Sequence, residues 1–216
     1  MRRAATAPGD INPLLRVPLE DYERHMDWPE IGQAWMLSEA MAHAVREFHP
    51  KSFAIAGCAG GNGIVRIAAM GVGRIAGIDL NEAYIAEVHR RLGRWVPGLE
   101  LYIADIEAGI PDCAPVDLVF AGLLLEYVEV AATLKVLRTL CTPGDALVIV
   151  LQRPSETKAA VSDSPYPSLK VLESIMRLQD PDAVTAAAQA AGFTVIGSRR
   201  ERLDSGKEFE ILSFRA

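Results

Sequence analysis

The sequence predicts an α/β protein built on one seven-stranded, mostly parallel sheet with helices on both faces. Short apolar segments alternate with helical segments along the middle of the chain, and these apolar segments are almost continuously hydrophobic. That order is typical of parallel sheets, whose strands are covered on both faces. Two further strand-like segments are joined by a tight turn near the C-terminus, so we expect the sheet to end in an antiparallel hairpin.

Five apolar segments are expected to form the parallel strands: Ser52–Ala56, Arg74–Ile78, Leu99–Ile103, Val116–Ala121 and Ala146–Leu151. The segments between them, and one near the C-terminus, have helical character: Ile64–Met70, Glu82–Leu92, Val130–Leu140 and Pro181–Ala191. Asn81 is suited to cap one of these helices and Gly93 to end it. The hairpin strands, Thr194–Arg202 and Glu208–Arg215, flank a turn at Asp204-Ser205-Gly206, which favours reversal of the chain.

The N-terminal part is expected to form a flexible arm over residues 1–17 and a helical cap over residues 18–50, ahead of the main domain at 51–216. Within the cap, Glu20–Met26 predicts a short helix. Apolar residues from Ile31 to Phe48 recur at helical spacing and predict a longer one, with Trp35 in its buried stripe. The proline- and serine-rich segment Gln152–Ser168 is expected to be a long loop after the fifth strand.

Composition excludes several classes of function. Half of the 216 residues are apolar, so a large core is expected. The net charge of −6 disfavours nucleic-acid binding, and no apolar run approaches the ~20 residues of a membrane-spanning helix. The first residues do not resemble a secretory signal, which makes the cytoplasm the expected compartment. The three cysteines form no C-x-x-C pair and the histidines show no metal-ligand spacing, so no metal site is expected.

The sharpest functional signal is the glycine-rich segment FAIAGCAGGNG, from Phe53 to Gly63, which follows the first strand and leads into a helix. Glycines let the backbone turn tightly and let a ligand lie against bare peptide. The alternative is a tight strand-to-helix turn that binds nothing. The spacing does not match G-x-G-x-x-G, the fingerprint of dinucleotide-binding loops.

Two acidic residues follow the next two strands. Asp79 ends the second strand, where a carboxylate can accept hydrogen bonds from both hydroxyl groups of a ribose. The alternative role is to cap the helix that follows. Asp105, just past the third strand, can accept the exocyclic amine of an adenine with Ile106 packed on the ring, or it can be an ordinary loop aspartate.

With these motifs in order, the chain resembles the class I S-adenosylmethionine-dependent methyltransferases over residues 50–151. AGCAGGNG resembles their glycine-rich motif, GIDLN their ribose acid, YIADIE their adenine acid, and VDLVFAGLLLEYV the segment after the fourth strand. The resemblance implies a Rossmann-like domain and S-adenosylmethionine as cofactor. It implies the following cofactor-binding residues: Tyr22, Gly57, Cys58, Ala59, Gly60, Gly61, Asn62, Asp79, Leu80, Asp105, Ile106 and Gly122.

Two positions depart from the family pattern. Ile55 stands where the family often has an acid, and Ala59 replaces the middle glycine of the usual G-x-G-x-G. Backbone carbonyls of the loop, or a residue of the N-terminal cap, are then expected to hold the amino group of the cofactor.

The expected catalytic residues are His25, Glu126 and Tyr127. His25 is suited to act as a general base near neutral pH, although a lone histidine is often only exposed or hydrogen-bonded. Glu126 and Tyr127 follow the fourth strand and are expected near the reactive end of the cofactor. A helix start is the alternative role of Glu126. The cap residues Met26 and Gln33, and Gln152 and Tyr166 of the long loop, are further candidates for the same rim. The long loop is expected to close over the substrate, with a dimer contact and a passive surface loop as the alternatives.

The expected activity is methyl transfer to a small-molecule acceptor, because the domain is compact, acidic and without a separate recognition module. Two alternatives remain: a catalytically silent cofactor-binding or regulatory protein, and a nicotinamide-dependent oxidoreductase, against which the glycine spacing argues. A homodimer is compatible with the sequence.

Overall fold

The computed structural model describes residues 12–109 and 112–216, which contain one seven-stranded sheet in the order β3-β2-β1-β4-β5-β7-β6. Its strands are β1 (Ser52–Ala56), β2 (Arg74–Asp79), β3 (Leu99–Ile103), β4 (Leu118–Gly122), β5 (Ala146–Gln152), β6 (Thr194–Arg202) and β7 (Glu208–Arg215). Strands β1 to β5 are parallel, and β7 pairs antiparallel with both β5 and β6. The predicted fold class is confirmed.

The helices of the described residues are α1 (Leu19–Met26), α2 (Gln33–Phe48), α3 (Ile64–Ala69), α4 (Glu82–Leu92), α5 (Val130–Thr139), α6 (Val171–Ile175) and α7 (Pro181–Ala190). The sequence did not predict α6, which follows the long loop after β5 through a short 3-10 helix at Pro167–Lys170. Residues 1–11 of the predicted arm lie outside the described residues. The rest of that segment contains a 3-10 helix at Pro13–Arg16 and the buried Val17.

The core lies on both faces of the sheet because alternate residues of each strand point in opposite directions. In β1, Phe53 and Ile55 pack with α2 and α3 on one face, whereas Ala54 and Ala56 pack with α5 and α7 on the other. Every residue of β5 is buried, as expected for a strand covered on both faces. None of the helices in the described ranges is long and apolar enough to cross a membrane.

Trp35 does not belong to the core, so that prediction is wrong: 66% of its surface is exposed. Helix α2 begins at Gln33, after Gly32 in the left-handed conformation, and its buried face runs through Met36, Leu37 and Ala40. Trp35 therefore points away from the sheet.

Candidate functional site

The site is built at the carboxyl ends of the parallel strands, where β1 is flanked by β2 on one side and by β4 on the other. Strands β2 and β3 are added on one side of β1, and β4 and β5 on the other. The connections after the strands therefore diverge at β1, which leaves a crevice at the carboxyl ends of the strands. The loop from Gly57 to Gly63 fills the space between β1 and α3. Gly57, Gly61 and Gly63 have φ angles of 75°, 84° and 82°, a region that glycine adopts without strain.

Asp79, at the end of β2, is hydrogen-bonded to this loop. Its Oδ2 accepts the backbone N–H of Ala59 at 2.8 Å, and its Oδ1 accepts that of Asn81 at 2.9 Å. Burial raises the pKa of Asp79, and the backbone hydrogen bonds oppose that rise. A carboxylate has about four acceptor positions, so both oxygens retain capacity for a ligand.

Asn81, and not Asp79, caps α4. The side chain of Asn81 accepts the backbone N–H groups of Ala83 at 3.0 Å and Tyr84 at 3.3 Å. These are the N–H groups that a helix start leaves unpaired. The alternative role considered for Asp79 is therefore filled by its neighbour.

Three adjoining cavities surround the loop and the strand ends. The β2–β3 cavity has a volume of about 140 Å³ and lies between Asp79, Asp105 and Gly122. The loop cavity, about 710 Å³, lies between the glycine loop and helices α1 and α2. The β4–β5 cavity, about 40 Å³, lies beyond the ends of β4 and β5. Tyr22 lines all three.

The structure brings almost all of the predicted site residues to these cavities. The β2–β3 cavity is lined by Tyr22, Gly57, Ala59, Asp79, Leu80, Asp105, Ile106, Gly122 and Tyr127. Cys58, Gly60, Gly61 and Asn62 line the loop cavity, and His25 lines the β4–β5 cavity. Burial raises the pKa of the Cys58 thiol, which keeps it protonated.

Glu126 is the exception, because it lines none of the three cavities and only 1% of its surface is exposed. Its Oε1 accepts the backbone N–H of Gln152 at 2.8 Å, whereas Oε2 has no partner in the described part of the chain. Burial raises the pKa of Glu126 to about 7. Glu126 does not serve at a helix start either, because the residue that caps α5 is Glu129.

His25 and Tyr127 face the β4–β5 cavity from opposite elements. His25 Nδ1 lies 2.9 Å from Ser164 Oγ of the long loop. Burial, together with the charge of Lys207, lowers the pKa of His25, so its imidazole is neutral near pH 7. Burial raises the pKa of Tyr127, which keeps its hydroxyl protonated.

The long loop after β5 packs on the cap. Beyond the contact between His25 and Ser164, the rings of Trp28 and Tyr166 meet edge to face with centroids 6.3 Å apart. Val161 also joins an apolar cluster with Val17, Leu169 and Leu172. The loop and α1 together cover the β4–β5 cavity.

Sequence reasoning missed Lys207, which also lines the β4–β5 cavity. A lysine beside a hairpin turn is normally solvated. Here its Nζ donates to the carbonyl oxygen of Ala160 in the long loop, and no local pattern indicates that contact. Within the described ranges, no cluster of three or more His, Cys, Asp or Glu residues is arranged to hold a metal ion.

The middle of the chain is similar to a known protein family, and the fold is similar to that of several solved structures. Residues 54–144 match the methyltransferase domain family. No curated protein is similar enough in sequence to count as a relative. Among solved structures, the chain is similar to magnesium protoporphyrin IX methyltransferase ChlM from Synechocystis with bound S-adenosylhomocysteine, at 14% identity and a TM-score of 0.68, over 91% of this chain and 93% of that one.

Two further structures are similar. One is the N-methyltransferase NodS from Bradyrhizobium japonicum in complex with S-adenosylhomocysteine, at 18% identity and a TM-score of 0.61, over 97% of this chain and 93% of that one. The other is an S-adenosylmethionine-dependent methyltransferase from Mesorhizobium loti, at 18% identity and a TM-score of 0.60, over 77% of this chain and 91% of that one. At such identities the likeness shows the fold.

The family match runs from β1 to the turn before β5 and includes the glycine loop, Asp79 and Asp105. The resemblance indicated by the sequence motifs is confirmed, and two of the similar structures contain S-adenosylhomocysteine, the expected cofactor without its methyl group. Residues 54–144 thus match a methyltransferase domain family, and the fold is the one shared by the S-adenosylmethionine-dependent methyltransferases described above.

Proposed function

We propose that this protein transfers a methyl group from S-adenosylmethionine to a small-molecule acceptor. The observation that carries the proposal is the Asp79 carboxylate, which is held against the glycine loop where the β2–β3 cavity meets the loop cavity. A carboxylate fixed in this way has acceptor capacity for ribose hydroxyls, and bare peptide lies beside it.

The residues of the two larger cavities fit the chemical parts of this cofactor. Asp79 binds the ribose, and Leu80 and Ile106 cover the faces of the adenine while Asp105 accepts its amine. The methionine part lies along Gly57 to Asn62, with Tyr22 over it. Tyr22, Gly57, Ala59 and Gly122 line both cavities, so a ligand can extend from one into the other.

The amino group of the cofactor needs a partner other than Ile55, which is buried and apolar. Two carboxylates line the loop cavity, Glu23 and Asp27. We assign the role to Glu23, because its side chain lies against Gly60, where any Cβ would collide with it. Arg91 pairs with Glu23 at 2.6 Å and fixes its position.

A truncated ligand tests that assignment. Glu23→Gln should weaken the binding of S-adenosylhomocysteine and leave unchanged the binding of 5′-methylthioadenosine, which has no amino acid part. Equal losses for both ligands would instead indicate a general disturbance of the loop. Glu20→Gln, an exposed position of the same helix, is the matched control.

The acceptor is proposed to enter from the β4–β5 cavity. When bound, the cofactor supplies an electrophilic methyl group on a positively charged sulfur. The neutral His25 imidazole takes the proton that the attacking atom of the acceptor loses, and Tyr127 lines the pocket. Alignment of the two reactants contributes up to about 7–11 kcal/mol, so a stronger catalyst is not needed.

Glu126 is proposed as a positioning residue and not as a base. Its carboxylate holds the backbone of Gln152, the last residue of β5, whose side chain lines the β4–β5 cavity. A substitution at Glu126 should therefore change the KM of the acceptor more than it changes the affinity for the cofactor.

Two experiments test the function. Calorimetric titration measures the binding of S-adenosylmethionine and of NAD(H). A second assay detects the release of S-adenosylhomocysteine over a panel of oxygen, nitrogen, sulfur and carbon nucleophiles. Binding of the first ligand and product release with at least one acceptor are expected. Binding without release over the whole panel would favour the silent binder, which the buried Ile55 keeps as the second candidate. Preference for NAD(H) would overturn the proposal.

A further inference from the structure

Lys207 closes one end of the β4–β5 cavity. It directly precedes β7, and only 4% of its surface is exposed. Its Nζ donates a hydrogen bond to the carbonyl oxygen of Ala160 at 2.7 Å and a longer one to Gln152 Oε1 at 3.4 Å. An ammonium group has three N–H donors, so these two contacts leave one donor available.

No carboxylate of the described residues forms an ion pair with Lys207. Burial alone lowers its pKa, to about 8, and no nearby negative charge raises it. Lysine is almost never fully buried unless it is paired, because an isolated buried charge loses its hydration. His25, the other titratable group on this cavity with a basic side chain, has its own pKa lowered by Lys207.

The neighbouring amides are arranged around the ammonium group. Gln152 Oε1 accepts from Lys207 and also, at 3.4 Å, from Gln33 Nε2. Gln152 Nε2 donates to Ala160 O at 2.9 Å. The surroundings of Lys207 therefore supply neutral acceptors but no negative charge, and the cavity beside it is open to a group that brings one.

We propose that the methyl acceptor carries a carboxylate and that Lys207 binds this carboxylate in the β4–β5 cavity. The inference rests on the proposed function. The cavity volume of about 40 Å³ suits a single small group. Tyr22 and Met26 line both this cavity and the loop cavity, so the rest of the acceptor can extend toward the cofactor. His25, the base proposed for the reacting atom, lines the same cavity.

A purely structural role for Lys207 makes a different prediction. If the lysine serves only to tie Ala160 of the long loop to the hairpin, the cavity should not distinguish a carboxylate from an amide of the same shape. Acetate and acetamide form such a pair and are small enough for the cavity.

The two probes are titrated into the ¹⁵N-labelled full chain, with and without S-adenosylhomocysteine, and the backbone signals of Gln152, Val161 and Ser162 are followed. Acetate should saturate these signals at a concentration at least about tenfold lower than acetamide, since hydrogen bonds to charged groups are the stronger ones. Lys207→Met should abolish the preference, and Lys158→Met, an exposed lysine of the adjacent loop, should keep it.

Equal affinity for the two probes, the absence of a saturable shift with acetate, or a preference that survives in Lys207→Met would each overturn the carboxylate site. Lys207→Gln, which retains a donor for Ala160, replaces the methionine variant if that variant fails to fold. The titrations with S-adenosylhomocysteine distinguish failure of the proposed function from failure of the carboxylate site. If the protein does not bind S-adenosylhomocysteine, the proposed function is wrong. The preference of the cofactor-free protein for acetate still tests the role of Lys207.

Turnover provides the second readout. For acceptors that carry a carboxylate and are methylated by the protein, Lys207→Met should lower kcat/KM at least about tenfold, which corresponds to about 1.4 kcal/mol. The KM of S-adenosylmethionine should stay the same. If uncharged amide analogues of the same acceptors react equally well with the unaltered protein, the assignment of the substrate class is wrong.

Discussion

The backbone N–H of Ala59 donates a hydrogen bond to the carboxylate of Asp79 at 2.8 Å, so the glycine loop after β1 and the acid at the end of β2 form one unit. The two strands are paired in register up to Ala56 and Ile78, and the N–H groups of Gly57 and Cys58 continue this pairing to the carbonyl of Ile78. Asp79 is thus already fixed in position relative to the loop.

Asp79→Ala should weaken the binding of S-adenosylhomocysteine by at least about tenfold, because a charged acceptor contributes about 1.5–3 kcal/mol to a hydrogen bond. In contrast to Glu23→Gln, this variant should lose affinity for 5′-methylthioadenosine as well. Calorimetric titration measures both. Asp204→Ala, in the exposed hairpin turn, is the control. An unchanged dissociation constant in a folded Asp79→Ala protein would rule out the ribose role.

Substitutions at Ala59 test how the stability of the loop conformation depends on the residue type. Its φ angle is 44°, a left-handed conformation that costs an L-residue about 1–2 kcal/mol. Ala59→Gly removes this strain but increases the freedom of the unfolded chain, so the free energy of unfolding should change by less than about 1 kcal/mol. Ala59→Val should be destabilising, because a β-branched residue is a true outlier at positive φ. Urea unfolding compares the two variants, and equal stabilities would contradict this account.

Sequence patterns predicted the segments that form the parallel strands and the position of the loop because both depend on local chemistry. Continuous apolar segments form strands covered on both faces, and glycine adopts the positive φ angles of the loop without strain. Ala59 shows that the same backbone conformation persists without the glycine, since the hydrogen bond to Asp79 holds it. The departure from the family pattern at this position therefore leaves the loop geometry in place.

The β4–β5 cavity was less accessible to sequence reasoning because it is made by contacts between distant segments. Lys207 is buried, and its main hydrogen bond is to Ala160 of the long loop, 47 positions earlier. Glu126 was expected in a cavity but is turned toward the backbone of Gln152, since that N–H satisfies one of its oxygens. Neither relationship has a periodicity or a spacing by which it could be recognised.

Asn81→Ala separates helix capping from cofactor binding. Loss of an N-cap side chain costs about 1 kcal/mol, so the free energy of unfolding should fall by that amount. The dissociation constant of S-adenosylhomocysteine should change little, because the backbone N–H of residue 81 still donates to Asp79. Thermal or urea unfolding and calorimetry are measured on the same preparation. A loss of affinity as large as that of Asp79→Ala would show that the cap, and not the acid, organises the site.

Glu126→Gln should remove a pH dependence of stability. The pKa of Glu126 is raised by burial from its ordinary 4.5 to about 7, so the folded state holds a proton that the unfolded state releases in this range. The stabilisation is complete below about pH 4.5 and is lost as the pH rises through 7. About 1.4 kcal/mol per pH unit over the 2.5 units between 4.5 and 7 gives a total of roughly 3.5 kcal/mol.

The amide of glutamine has the same shape, keeps an oxygen for the N–H of Gln152 and does not ionise. Relative to the unaltered protein, Glu126→Gln should therefore gain roughly 2–3 kcal/mol of stability between pH 5 and pH 8. The opposite contribution of His25, whose lowered pKa makes stability rise with pH up to about 6.5, is present in both proteins and cancels in this difference. Urea unfolding at the two pH values measures it, with the exposed Glu173→Gln as control. A difference that does not vary with pH would mean that Glu126 is already ionised in the folded protein, with a partner for its second oxygen.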